Sequence, residues 1–181
     1  MEFNKYKERG DYHWKEFSKN SVYRKHVKKV LKWIQEDTIL DVGAGDGLIT
    51  YQLGLLGKRV VGIENDPYAL KIAKEKKVFV EDGDAYNPCL GERFDAVFMG
   101  DVIEHLEFPE KSIEKLKNLL NPGGKLYIVT PPKKEIGLHD KYHYREYSEE
   151  ELVDFIESFG FVKESIEVVP EYTRMYAKFS L

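Results

Sequence analysis

The chain has 181 residues with 42% hydrophobic and 33% charged side chains, a composition typical of one folded domain. Its net charge of −4 combines a basic arm of +6 over residues 1–35 with an acidic body of −10, and the acidic body argues against a surface that coats nucleic acid. Its single cysteine, Cys89, excludes an internal disulfide or a thiolate metal cluster. No apolar run approaches the roughly 18 residues of a membrane helix, and the charged N-terminus has no apolar core, so we predict a cytoplasmic protein without membrane contact.

The first predicted elements are basic N-terminal helices. The apolar residues of one helix recur at offsets 0, 3, 4 and 7: Val27, Val30, Leu31 and Ile34. Aromatic residues that could form a lid lie in two clusters: Tyr12, His13, Trp14 and Phe17, then Tyr142, Tyr144 and Tyr147. We predict a helical extension or lid over residues 1–37 and a single catalytic core over residues 38–181. Helices that only pack against the sheet edge are the alternative.

Short apolar runs alternate with helical patterns from Thr38 onward. The predicted strands lie at residues 38–42, 59–64, 78–81, 94–100 and 125–130, and residues 161–169 and 173–181 are predicted to form a terminal hairpin. Strands separated by helices pair in parallel, and their crossovers are nearly always right-handed. The pattern therefore predicts an α/β fold, a doubly wound, mostly parallel seven-stranded sheet with a C-terminal antiparallel hairpin.

The predicted helices have recognisable ends. Asp66 can cap a helix and Pro67 suits its first position. Residues 109–120 form a helical pattern that the sequence NPGG stops. Ser148 and Glu151 have the spacing of a capping box before the last helix.

The glycine-rich stretch LDVGAGDG follows the first predicted strand. Glycine there either supplies positive φ angles for a sharp turn or leaves room for a ligand against the backbone. Ligands of doubly wound sheets bind beyond the C-terminal ends of the strands, which favours the second explanation. The dinucleotide pattern G-x-G-x-x-G would need glycine at Leu48, whereas the observed pattern is D-x-G-x-G-x-G. A carboxylate at Asp41 suits a cationic ligand better than a pyrophosphate.

Five motifs in order make the chain resemble the class I S-adenosylmethionine-dependent methyltransferases, in particular the ubiquinone-biosynthesis type that acts on small molecules. The motifs are ILDVGAGDG, GIEND, GDA, FDAVFMGDVIEHL and LNPGGKLYIVTP. The resemblance implies a Rossmann-like methyltransferase fold that binds S-adenosylmethionine. It implies these cofactor-binding residues: Asp41, Gly43, Ala44, Gly45, Glu64, Asn65, Asp84, Ala85, Gly100 and Asp101. Among them Glu64 would accept hydrogen bonds from the ribose, and Asp84 and Ala85 would contact the adenine.

The histidines after the fourth and fifth strands are candidate catalytic residues. An acceptor hydroxyl benefits from a nearby base, and histidine is the natural base near neutral pH. We predict His105 and His143 in this role, with His139 as a further candidate. No resident metal is predicted. The alternative is a divalent ion at Asp101, Glu104, His105 and His143, since some relatives carry a Glu-x-x-Glu-His cluster that binds one.

The predicted function is transfer of a methyl group to a small molecule with an oxygen, nitrogen or carbon acceptor. The strand-end signature of enzymes that methylate nucleic acid bases is missing, so nucleic acid is not the expected partner. Two alternatives remain: an RNA or protein methyltransferase that uses the basic arm, and a cofactor-binding module without transfer activity. The acceptor and the oligomeric state stay open at this point.

Overall fold

The computed structural model describes residues 5–137 and 140–181, and seven strands within them form one sheet. The strands are β1 Thr38–Val42, β2 Arg59–Glu64, β3 Val80–Asp82, β4 Phe94–Gly100, β5 Leu120–Thr130, β6 Val162–Val169 and β7 Arg174–Ser180. Their order is β3-β2-β1-β4-β5-β7-β6. Strands β1 to β5 pair in parallel, whereas β7 pairs antiparallel with both β5 and β6. The predicted doubly wound sheet with an antiparallel terminal hairpin is confirmed.

Helices connect the parallel strands and precede the sheet. They are α1 Lys5–Arg9, α2 Tyr12–Lys19, α3 Ser21–Trp33, α4 Leu48–Leu55, α5 Pro67–Glu75, α6 Pro109–Asn118 and α7 Glu149–Glu157. Short 3-10 helices cover Ile103–His105 and Pro170–Tyr172. Within the described part of the chain, none of these helices has the length and apolarity needed to cross a bilayer.

Polar side chains fix where three of the helices begin. The Asn20 side chain accepts hydrogen bonds from the first-turn amides of α3, and Asp66 does the same for α5, with Pro67 at the first helical position. Ser148 and Glu151 form the reciprocal capping box of α7. These bonds satisfy amides that have no partner inside a helix. The capping predictions for α5 and α7 are therefore confirmed.

Apolar side chains cover both faces of the sheet. Alternate residues of β4 join two different clusters, with Val97 and Met99 in one and Phe98 in the other, as expected for a strand buried on both faces. The second cluster contains Val30 and Ile34 of the N-terminal region, both fully buried. The predicted apolar stripe thus attaches α3 to the sheet.

Two predicted strands have different bounds in the structure. β3 begins at Val80 rather than residue 78, because Val78 is buried beside the glycine turn instead of joining the sheet. β5 begins at Leu120 and includes the NPGG sequence, which was predicted to precede it. Leu120 pairs with Phe94, and the register then shifts before the next pair, so an irregularity absorbs the two glycines.

We expect Ser148→Ala to lower the free energy of unfolding by about 1 kcal/mol, because the first turn of α7 loses its hydroxyl cap. Urea unfolding followed by circular dichroism measures the change. Ser165→Ala on the exposed part of β6 is the control and should have a smaller effect. Equal losses in the two variants would contradict a capping role for Ser148.

Candidate functional site

One cavity of about 1050 Å³ opens at the C-terminal ends of the parallel strands. It reaches from the end of β2 past the glycine turn after β1 to the segments that follow β4 and β5. Its position is the one that ligands of doubly wound sheets occupy, and its size is in the range of pockets for cofactors and small molecules.

The turn after β1 contains glycine both for its backbone conformation and for lack of space. Gly43, Gly45 and Gly47 have φ angles of +65°, +58° and +80°, so the backbone conformation itself requires glycine. A side chain at Gly43 would also meet Val102 at 2.5 Å. Nearby, Thr50 donates a 2.6 Å hydrogen bond to the Asp41 carboxyl. Burial raises the pKa of Asp41 to about 7, against the opposing effect of the Thr50 hydrogen bond.

The Glu64 carboxylate joins two turns at the edge of the cavity. One of its oxygens accepts a 2.9 Å hydrogen bond from the Gly45 amide. The other accepts from the Asn65 and Asp66 amides at 2.8 and 2.9 Å. Burial raises the pKa of Glu64 in spite of these bonds. A carboxylate has about four acceptor positions, so this arrangement leaves acceptor capacity for a ligand hydroxyl.

The segment after β3 supplies a second wall at the same end. Asp84 accepts a 2.9 Å hydrogen bond from the Tyr86 amide with one oxygen, the turn-forming role that competes with ligand binding. The Ala85 carbonyl accepts from Ser112 of α6 at 2.9 Å. Both residues line the cavity, and neither of these bonds uses the Ala85 amide.

The N-terminal helices cover the glycine turn, which the sequence pattern did not reveal residue by residue. An added side chain at Gly45 would lie 1.9 Å from the Tyr6 hydroxyl. Tyr6 is buried and also lines the cavity. His13 contacts the Asp46 carboxylate at 3.3 Å, and Trp14 donates a 3.0 Å hydrogen bond to the Asp46 carbonyl.

Only some of the aromatic residues predicted to form a lid line the cavity. Tyr12, His13, Tyr142 and Tyr144 line the cavity. Tyr147, in contrast, is fully buried in the core and its ring lies 5.8 Å from that of Phe155. Its place in the lid was wrong, because its side chain packs in the main apolar cluster and does not line the cavity.

Asp101 does not share a helix face with Glu104 and His105, although spacings of three and four residues would place it there in a helix. The 3-10 helix begins only at Ile103, and Asp101 has a positive φ of 55°. Its carboxylate instead contacts the Arg174 guanidinium of β7 at 2.6 Å. Burial opposes ionisation of Asp101, but Arg174 and His26 outweigh it and lower its pKa.

Glu104, His105 and His143 form a polar cluster at the other end of the cavity. One possible ligand atom from each lies within 4.8 Å of the others. Glu104 is fully buried, and burial together with Asp101 raises its pKa to about 8. One Glu104 oxygen accepts from Thr130 at 2.9 Å, while the other has no hydrogen-bond partner among the described residues.

The two histidines of this cluster have different surroundings. Nδ1 of His105 lies 3.0 Å from the Tyr142 carbonyl, and burial lowers the pKa of His105 to about 4. Nδ1 of His143 lies 2.5 Å from the Glu146 carboxylate. The rings of the two histidines cross at 4.8 Å. His139, the third candidate, falls outside the described residues.

All of the predicted cofactor residues except Gly45 lie on the wall of this one cavity, as do His105 and His143. Gly45 takes part through its amide, which holds Glu64. The sequence reasoning missed Tyr6, Arg174 and Glu146. Tyr6 had no spacing signal, and Arg174 and Glu146 reach the site through tertiary contacts.

Comparison with known proteins gives matches over most of the core. A family model described as a methyltransferase domain matches residues 40–128. The mitochondrial ubiquinone biosynthesis O-methyltransferase of Mus musculus is 38% identical over 109 residues, covering 54% of this chain and 30% of that protein. The chain thus spans less than a third of the length of this relative.

Two solved structures show the fold. A SAM-dependent methyltransferase from Aquifex aeolicus is 26% identical with a TM-score of 0.72, covering 85% of this chain and 88% of that one. Magnesium protoporphyrin IX methyltransferase from Synechocystis, solved with bound SAH, is 18% identical with a TM-score of 0.76, covering 98% and 96%. The predicted resemblance and the predicted Rossmann-like fold are confirmed.

We expect Gly45→Ala to destabilise the protein more than Gly57→Ala. Both glycines have positive φ, at 58° and 83°, which costs an alanine about 1–2 kcal/mol. Only at Gly45 does the added methyl meet the Tyr6 hydroxyl, whereas no described atom lies within 4 Å at Gly57. Urea unfolding measures both variants, and adding Tyr6→Phe to Gly45→Ala should recover part of the loss. Equal losses would show that Tyr6 does not fill this space.

Proposed function

We propose that this chain, whose motifs and fold are those of the class I S-adenosylmethionine-dependent methyltransferases, transfers a methyl group from that cofactor to a small-molecule acceptor. The observation that carries the proposal is the single cavity with two chemically different ends. The glycine turn and Glu64 line one end, and the cluster of Glu104, His105 and His143 lines the other. A cofactor and an acceptor can therefore meet in one cavity.

The residues at the first end fit the nucleoside part of S-adenosylmethionine. Glu64 retains acceptor capacity for the ribose hydroxyls, and such charge-assisted hydrogen bonds are among the stronger ones. Asp84 and the Ala85 amide lie on the adjacent wall, where they would contact the adenine. Gly43, Ala44 and Asp41 would border the methionine part, with Gly100 and Asp101 across the cavity.

The cofactor, when bound, would supply a methyl group on a sulfonium, whose leaving group is a neutral thioether. Because the leaving group is already a good one, much of the rate comes from holding the methyl donor and the acceptor in line. The tyrosines and histidines of α2 and α3 that line the cavity would exclude water from the acceptor. We assign residues 1–37 this covering role over the core at residues 38–181.

His143 is the better of the two candidate bases. Burial holds the pKa of His105 near 4, far below the pH at which a base is most effective. His143 lines the cavity and its Nδ1 already contacts a carboxylate. We propose that His143 takes the acceptor's proton at Nε2, while His105 and Glu104 orient the acceptor by hydrogen bonds.

A divalent metal is the alternative role for the same cluster. Glu104, His105 and His143 offer one carboxylate and two imidazoles at suitable separations, a donor set compatible with zinc and other divalent ions. Asp101 would not take part, since it pairs with Arg174. In that case the ion would lower the pKa of the acceptor, and His143 would hold the ion instead of taking the acceptor's proton.

The other candidate functions have less support. An RNA or protein acceptor needs an open binding face, whereas the cluster here includes the fully buried Glu104. A cofactor-binding module without activity would not need the histidine cluster opposite the cofactor end. A small-molecule acceptor and a cytoplasmic location are both part of the proposal. Labelled methyl transfer from S-adenosylmethionine to pools of metabolites and RNA tests the alternatives directly.

We expect Glu64→Gln to weaken binding of S-adenosylmethionine by about 1.5–3 kcal/mol, the cost of losing hydrogen bonds to a charged group. Calorimetry measures the affinity. Asp82→Asn is the matched control, because Asp82 pairs with Glu64 in the sheet register but does not line the cavity. Tighter binding of NADH than of S-adenosylmethionine to the wild type would contradict the proposed cofactor.

We expect His143→Ala to lower kcat by about 10²–10⁴ with nearly unchanged cofactor affinity, as for loss of a general base. His105→Ala should have the smaller effect, because burial keeps it a weak base. Turnover is measured with and without a chelator. Activity that disappears with the chelator and returns with a divalent ion would assign the metal role instead. Full turnover in both His→Ala variants would refute both the general-base role and the metal role.

A further inference from the structure

Glu146 is a buried carboxylate outside the cavity that contacts one of its catalytic candidates. Its side chain is 1% exposed, and its Oε1 lies 2.5 Å from Nδ1 of His143. His143 lines the cavity, whereas Glu146 is not part of the wall. The carboxylate therefore lies behind the imidazole, on the side away from the acceptor space.

This geometry selects one tautomer of His143. An ionised carboxylate only accepts hydrogen bonds, so Nδ1 of His143 carries the proton opposite an ionised Glu146. With the proton on Nδ1, the neutral ring has its lone pair on Nε2, the nitrogen that remains for the cavity. The hydrogen bond made by one ring nitrogen thus sets the chemistry of the other.

We infer that Glu146 is a positioning residue that holds His143 in the Nδ1–H tautomer and so presents a bare Nε2 to the acceptor. The inference deepens the proposed function and rests on it for the role of Nε2. It applies equally to a base and to a metal ligand, because both need the lone pair on Nε2. When Nε2 takes a proton, the carboxylate also stabilises the positive ring.

The local backbone holds this pair in place. The His143 amide donates to the Asp140 carbonyl at 3.2 Å. The Tyr144 amide donates to the Glu104 carbonyl at 2.8 Å, which ties the segment after β5 to the segment after β4. Glu146 follows three residues after His143 and directly precedes the buried Tyr147. The backbone that carries His143 is thus held by hydrogen bonds at this residue and at the next one.

His105 provides a comparison within the same cluster. Its Nδ1 faces the Tyr142 carbonyl at 3.0 Å, a neutral acceptor that fixes the same tautomer without adding charge. Only His143 of the two has its Nδ1 against a carboxylate in the described structure. A carboxylate stabilises an imidazolium far more than a carbonyl does, so the two rings differ in what they can do.

Nitrogen NMR of ¹⁵N-histidine-labelled protein tests the inference, since the two ring nitrogens report their protonation directly. In the wild type we expect His143 to carry its proton on Nδ1. In Glu146→Gln we expect that preference to be lost, because the amide of glutamine can itself donate to Nδ1. Glu150→Gln, on the exposed face of α7, is the matched control and should leave the His143 signals unchanged.

Activity provides the second readout. With S-adenosylmethionine and whichever member of a panel of phenols, catechols, thiols and amines the wild type methylates best, Glu146→Gln should lower kcat by about 10²–10⁴ with unchanged cofactor affinity. Glu146→Asp should restore part of the loss, because it restores the charge. A loss of structure alone would instead reduce cofactor binding and melting temperature together.

The outcomes separate the inference from the function on which it rests. Wild-type His143 with its proton on Nε2, or Glu146→Gln with both the Nδ1–H tautomer and full turnover, would overturn the inference. The wild-type spectrum decides the tautomer even if the variant fails to fold. Absence of transfer by the wild type to every acceptor tested would count against the proposed function, whatever tautomer is found.

Discussion

The site depends on one carboxylate, that of Glu64, which fixes the relative position of two turns. It binds the Gly45 amide of the turn after β1 and the Asn65 and Asp66 amides of the turn after β2. Both α4 and α5 begin at these turns, so their positions above the sheet follow from the same contact. The Gly45 amide that contacts Glu64 belongs to a turn with three positive φ angles, a conformation that favours glycine.

Local sequence signals predicted the frame of the molecule well. The caps at Asp66 and Ser148 and the apolar runs of the central strands depend on residues that are close in sequence, and each agrees with the final fold. The start of β5 was harder, because its first residues belong to the sheet only through pairing with Phe94. The NPGG sequence does follow the end of α6 at Asn118, as predicted, but it also lies within β5.

The predicted site was less complete than the predicted fold for a related reason. Motif residues reach the cavity because they end strands, and strand ends can be located from sequence. Tyr6 and Arg174 reach it from the two extremes of the chain, and no spacing rule connects them to the glycine turn. For Asp101 the spacing was misleading, because it suggested a helix face shared with Glu104. In the structure Asp101 has a positive φ and its carboxylate contacts Arg174.

The two tryptophans, Trp14 and Trp33, have different surroundings. Trp14 donates its indole hydrogen bond to Asp46, which lines the cavity. Trp33 is the last residue of α3, and its ring lies 4.7 Å from that of Tyr127 in the apolar cluster that joins α3 to the sheet. The protein thus contains two tryptophan fluorophores in different surroundings: emission from Trp14 should respond to changes at Asp46 in the glycine turn, and emission from Trp33 to the packing of α3 on the sheet. Replacing either one by phenylalanine would isolate the signal of the other without an added dye.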